Sequence, residues 1–149
     1  MSGKNQKRVS RTIAVVADGQ NVSVMKHSEA ILRFVQQFGE VPILWAYHDW
    51  KKVKESKQQR FQAFGWQCLS VIARAKNDLD KCLIDDCQRL FQHWLPDIVV
   101  LVSGDQDFAP LVKEVLGQGK QVIVIGRQNH VSQRLQILVP KNVYFVEDL

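Results

Sequence analysis

Four aspartates stand at the ends of apolar runs or at the helix starts that follow them. Asp18 closes Val15-Val16-Ala17-Asp18-Gly19-Gln20-Asn21, Asp80 lies in Asn77-Asp78-Leu79-Asp80, and Asp105 and Asp107 flank Gln106 in Ser103-Gly104-Asp105-Gln106-Asp107-Phe108. Carboxylates gathered in one place raise one another's pKa by like-charge repulsion, so an ionised cluster calls for a cation. A site made only of oxygen donors suits Mg2+ or Mn2+. Asp18, Asp80, Asp105 and Asp107 are therefore the candidate catalytic residues and metal ligands of a metal-dependent hydrolase. Asp86 is a further acidic candidate, although at about 100° per helical residue positions 80 and 86 do not share a face. Asp78 and Asp85 read as solvated or capping residues.

Two polar neighbours extend the set. Asn21, in the turn that Gly19 permits, is a candidate donor to a substrate phosphate or an orienter of Asp18; it also fits a plain helix cap. Ser103 is placed to hydrogen-bond a ligand carboxylate or a phosphate. Asp107 fits an N-cap as well, for a helix starting at Phe108 with Pro110 tolerated in its first turn. Other chemistries lack their motifs. Neither GxxxxGK[ST] nor GxGxxG occurs, which argues against a nucleotide cofactor. His27, His48, His93 and His130 fall in no nucleophile arrangement. Cys68, Cys82 and Cys87 are odd in number without CxxC spacing, and read as small buried hydrophobes in a reducing compartment.

Elements that alternate along the chain must position these groups. Thr12–Ala17 is a β-branched run typical of a strand buried on both faces. A helix is expected from Val22 to Phe38, stopped by Gly39, then a strand over Val41–Tyr47 and a basic helix over Trp50–Phe64. Trp66–Ile72 is the third expected strand, followed by a polar loop holding Arg74 and Lys76 and a helix from Asp80 to Trp94. Ile98–Val102, Gln121–Ile125 and Val143–Val146 complete the strands, with helices over Phe108–Leu116 and Val131–Leu138. This alternation predicts a three-layer α/β/α sandwich around a mostly parallel sheet. In the common strand orders the first and fourth strands are neighbours at the switch point, which would bring Asp18 close to Asp105.

The chain of 149 residues is read as a basic arm over residues 1–11 and one domain over residues 12–149. A net charge of +5 and a pI of about 9.2 favour a polyanionic partner around an acidic centre. No apolar run is long enough to span a membrane or to act as a signal peptide, so a soluble cytoplasmic protein is expected. The apolar Val143–Val146 segment reads as an edge strand open to pairing with a second copy, a route to a homodimer.

Taken together, Asp18-Gly19-Gln20-Asn21, Lys76-Asn77-Asp78-Leu79-Asp80 with Leu83 and Asp86, and Ser103-Gly104-Asp105-Gln106-Asp107-Phe108 closely resemble the NYN domains of the PIN-like nuclease superfamily, particularly the LabA-like branch. The resemblance covers nearly all of the chain after the basic arm. It implies a PIN-like fold and a Mg2+- or Mn2+-dependent endoribonuclease, with Asp18, Asp80, Asp105 and Asp107 at the family's acidic positions. The pattern departs in two places: members often carry a lysine three residues before the helix aspartate, where this chain has Asn77 and places Lys76 one step earlier, and the adjacent Asp85 and Asp86 both stand near the family's second helix acid, with Asp86 the favoured match. The implied reaction is in-line attack of an activated water on a phosphodiester of RNA, single-stranded or looped. Lys51, Lys54, Arg74, Lys76 and Arg127 are candidates to grip the backbone. Trp50 is a candidate to stack on unpaired bases, whereas Phe108, Trp45, Trp66 and Trp94 read as core. The competing readings are a regulatory module of the same fold that binds RNA or protein without turnover, and a metal-dependent phosphatase. The latter lacks a DxDx[TV] motif, since Gln20 holds the second acidic position.

Overall fold

β-branched residues fill the strand β1 (Thr12–Asp18), and every residue from Ile13 to Asp18 is buried. A strand buried on both faces belongs inside a parallel sheet, and β1 occupies that place. The computed structural model describes residues 10–72, 75 and 77–149. Its strands β2 (Glu40–His48), β3 (Gln67–Ser70), β4 (Ile98–Val102), β5 (Gln121–Gly126) and β6 (Val143–Phe145) join β1 in the order β3-β2-β1-β4-β5-β6. All five pairings are parallel. The expected mostly parallel sheet is thus parallel throughout, with β1 and β4 adjacent as the switch-point argument requires.

Alternate residues of the strands feed two separate cores. On one face Ile13, Val15 and Val100 pack with Ile31 and Val35 of α1 (Ser28–Gln36) and with Phe61 of α2 (Glu55–Gln62). On the other, Val16, Val99 and Leu101 pack with Leu79, Leu83 and Cys87 of α3 (Asp78–His93), Val112 and Val115 of α4 (Ala109–Gly117) and Leu135 of α5 (Gln133–Leu138). The result is the expected α/β/α sandwich. Among the described residues no helix is long and apolar enough to cross a membrane. Of the expected arm, Arg11 is tied to the sheet, its carbonyl accepting from the Glu40 N–H at 2.9 Å. Residues 1–9 lie outside the described residues.

Several boundaries differ from expectation. The helix expected from Val22 begins only at Ser28. Val22 and Val24 turn their side chains into the core instead, and a run of turns carries the chain to His27. The basic helix expected over Trp50–Phe64 is divided into a single 3-10 turn at Trp50–Lys52 and α2. Trp50 causes the division: its indole N–H donates to the Ala46 carbonyl at 3.1 Å and its ring stacks on Phe61. Only 5% exposed, Trp50 is a core residue and not the base-stacking platform its neighbouring lysines suggested. Phe108 and Trp66 are buried as expected.

Candidate metal centre

The β1–β4 register pairs Ala17 with Val102, so Asp18 at the end of β1 and Ser103 just past β4 stand side by side. Two tight turns then hold them. In the first, the Asp18 Oδ1 accepts from the backbone N–H groups of Gln20 (3.1 Å) and Asn21 (3.2 Å), and the Gly19 N–H donates to the Tyr47 carbonyl. A side chain on Gly19 would lie 2.7 Å from that same carbonyl oxygen, so the turn needs glycine. In the second, the Asp105 N–H donates to the Ser103 Oγ, and the Asp105 Oδ1 accepts from the Asp107 N–H at 2.9 Å. Two bonds stitch the turns together: Ser103 Oγ to Asp18 Oδ2 at 3.2 Å, and Gly104 N–H to the Asn21 Oδ1 at 2.9 Å. Gly104 also admits the segment after β5, because a Cβ there would run into the His130 carbonyl, and its own carbonyl accepts from the Ser132 N–H.

Asp80 comes from the first turn of α3, pinned over β1 by the buried Leu79 and Leu83. Carboxylate oxygens of Asp18, Asp80 and Asp105 all lie within 4.8 Å of one another. Asp18 and Asp80 are buried and Asp105 half-buried. Burial pushes the Asp18 carboxyl above its ordinary value, against the lowering effect of its hydrogen bonds from Gln20, Asn21 and Ser103. Asp80 is pushed up to about 8, first by burial, then by the charges of Asp105 and Asp18 and by a hydrogen bond with Asp107. Like charges held this close cannot all ionise unless a cation joins them. Three convergent carboxylates with no nitrogen or sulfur donor fit a hard divalent ion such as Mg2+ or Mn2+.

The other expected site residues fall in different places. Asp107 is exposed and reaches Asp80 from the mouth of the cluster without joining the three that converge. Asp86 is taken by Tyr47, whose phenol donates to its Oδ2 at 2.8 Å. That bond ties a half-buried acid in mid-helix to the sheet. Asn21 and Ser103 act on other protein groups: each bridges the two turns, which is the orienting role considered for them. Lys51 and Lys54 follow β2, Arg127 follows β5, and all three are exposed at the same carboxyl edge of the sheet as the acids. Arg74 and Lys76 lie outside the described residues. Sequence reasoning did not anticipate the Tyr47–Asp86 bond, since nothing local links a strand tyrosine to a helix acid 39 residues later.

A family model described as the NYN domain matches residues 12–145. The chain belongs to the NYN domain family. NYN domains have a nuclease-type fold and are generally nucleases acting on RNA, and their PIN-like relatives generally use divalent metals. Among solved structures, this NYN domain is similar to a protein of unknown function from Vibrio parahaemolyticus, with 25% identity and a TM-score of 0.77. The similarity covers 96% of this chain and 97% of the other. A search of curated proteins gives no significant match.

Proposed function

We propose that this NYN domain, of the LabA-like branch, is a cytoplasmic endoribonuclease that hydrolyses single-stranded RNA with Mg2+ or Mn2+. The observation that carries the reading is the convergence of Asp18, Asp80 and Asp105 within 4.8 Å, together with the raised pKa of two of them. Residues 12–149 form the nuclease unit. Asp18, Asp80 and Asp105 would hold the ion, and Asp107 completes the acidic set from its mouth. When bound, the ion would lower the pKa of water and offset negative charge developing on the phosphate.

The chain's own groups do the rest. Ser103 and the N–H groups of Gln20 and Asn21 fix the orientation of the Asp18 carboxylate. Asn21 locks the turn of β1 to the turn of β4, so that Asp18 and Asp105 keep their spacing. Asp80, its carboxyl pushed up to about 8 by burial and by the charges of Asp105 and Asp18, would give up a proton on holding the ion. Lys51, Lys54 and Arg127 engage backbone phosphates, contacts that set register and read no sequence. A second copy would pair along β6, the edge strand beside β5.

The test is cleavage of labelled single-stranded RNA, with matched DNA beside it, in Mn2+, Mg2+ or EDTA, for wild type and Asp105→Asn. Metal-dependent RNA cleavage that disappears in the variant is expected. A wild type that binds RNA yet stays silent across substrates would replace the nuclease with a regulatory module.

A further inference from the structure

On the α1/α2 face of the sheet, next to the acidic centre, lies a cavity of about 520 Å³. Gly19, the residue after Asp18, is part of its wall, so cavity and centre share one turn of backbone. Its charged lining is wholly positive: Lys26 from the turns before α1, and Lys57 and Arg60 from α2. Lys57 and Arg60 are three residues apart on one helix and so share a face. Among the described residues none of these three cations is in an ion pair, and no carboxylate lines the cavity.

Two ring systems complete it. Phe64 lines the cavity and is 37% exposed. His48 presents an Nδ1 that is buried yet lacks a hydrogen-bond partner. A Cβ on Gly19 would sit 3.3 Å from that nitrogen, so the close approach of the imidazole to the turn favours glycine. The stacked pair Trp50 and Phe61 forms an apolar, rigid part of the wall.

A ligand that satisfies this lining needs negative charge for three unpaired cations, a flat face for Phe64 and a polar edge for His48. A nucleotide has all three, and the volume is in the range of small-ligand sites, about 300–1,000 Å³. Stacking on an aromatic ring and backbone capture by cations are the means by which proteins hold single strands. We infer that this cavity seats a nucleotide of the RNA strand next to the phosphodiester presented to Asp18, Asp80 and Asp105. The inference rests on the proposed nuclease reading for the identity of the strand. The strand crosses Gly19, its base enters beside Phe64 and His48, and Lys26, Lys57 and Arg60 hold its phosphates.

The experiment uses the full chain carrying Asp105→Asn, so that binding is read without turnover. Affinity for a labelled single-stranded RNA is followed by fluorescence anisotropy over a salt series. Adding Lys57→Ala and Arg60→Ala should weaken binding at least tenfold. It should also flatten the salt slope by about 1.4, at roughly 0.7 per lost phosphate contact on a single strand. Phe64→Ala should weaken binding about fivefold or more. Lys113→Ala, exposed on α4 across the sheet, should change it less than twofold. Photo-crosslinking of thiouracil-substituted RNA to the chain with an intact cavity should modify residues 48–64, which requires no cavity variant to fold. Binding unaffected by Lys57→Ala and Arg60→Ala, with crosslinks elsewhere, overturns the inference even if wild type cleaves RNA. Loss of binding in those variants while wild type never cleaves keeps the cavity and removes the nuclease. A free nucleoside monophosphate bound as tightly as the strand overturns the strand assignment.

Discussion

On the two sides of Gly19 the molecule holds opposite charges by opposite means. The acidic centre is built from short carboxylates whose orientation is fixed by other groups: Asp18 alone accepts three hydrogen bonds. The neighbouring cavity is lined by long, exposed cations without ion-pair partners among the described residues. The contrast follows from what each has to do. Holding an ion against a reacting phosphate demands fixed donors, because small misplacements of reacting groups are costly. Holding a flexible strand demands only charge within reach. Each region is also unbalanced alone. The centre carries repulsion that a cation would relieve, and the cavity carries uncompensated positive charge that a polyanion would relieve.

That contrast can be broken first at its most rigid point. Asp105→Asn should reduce RNA cleavage by more than the roughly 10–100-fold typical of losing an outer partner of a metal ligand, measured as initial rates in Mn2+. Activity close to wild type would show that the convergence of the three acids is incidental. Ser103→Ala removes the hydroxyl that bridges Asp18 to the Asp105 turn, and should lower activity or apparent Mn2+ affinity by about 10–100-fold. If the centre tolerates this change, its carboxylates are as loosely held as the cavity's cations. Gly104→Ala drives a methyl into the His130 carbonyl and should cost about 1–3 kcal/mol in chemical denaturation. An unchanged denaturation midpoint would mean that the segment after β5 moves aside freely.

The smallest expected effect is on pH. Asp80 has a folded-state pKa raised from 3.8 to about 8, and Asp18 is shifted in the same direction. Between these values the folded chain binds more protons than the unfolded chain, so this contribution to stability is complete below about pH 4 and disappears as pH rises through 8. Melting in EDTA should therefore give a Tm that falls by a few degrees from weakly acid to weakly alkaline pH, with a flatter profile for Asp80→Asn. A Tm that rises over that window would contradict the repulsion assigned to the centre.

The acidic centre was legible in the sequence and the cavity was not. Each acid of the centre stands in a local motif at a strand end or helix start, and the neighbouring positions of β1 and β4 follow from strand alternation. By contrast, Lys57, Arg60 and Phe64 stand in helical phase, but no spacing links them to Lys26 or His48, which meet them only where α2 covers the sheet. Trp50 was misjudged because its sequence neighbours, Lys51 and Lys52, belong to the surface while its ring packs inward on Phe61. The late start of α1 was hidden because Val24 falls in helical phase with Ile31 and Val35, whereas Val22, two residues earlier, is off that face and enters the core from a turn. The bond of Asp86 to a strand phenol was hidden because no local motif links the two residues.

The bonds that join the first turn to the second, Ser103 to Asp18 and Gly104 to Asn21, span 85 and 83 residues. Translation adds about 5–20 residues per second, so Asp18 leaves the ribosome several seconds before the groups that orient it. During that interval β1 has β2 available on one side and nothing on the other, leaving a strand destined for burial on both faces with an open edge. β4 closes that edge and delivers Ser103 and Asp105 in the same event. A half-synthesised chain is thus prone to aggregation and lacks the acidic centre, and both conditions end when one strand inserts.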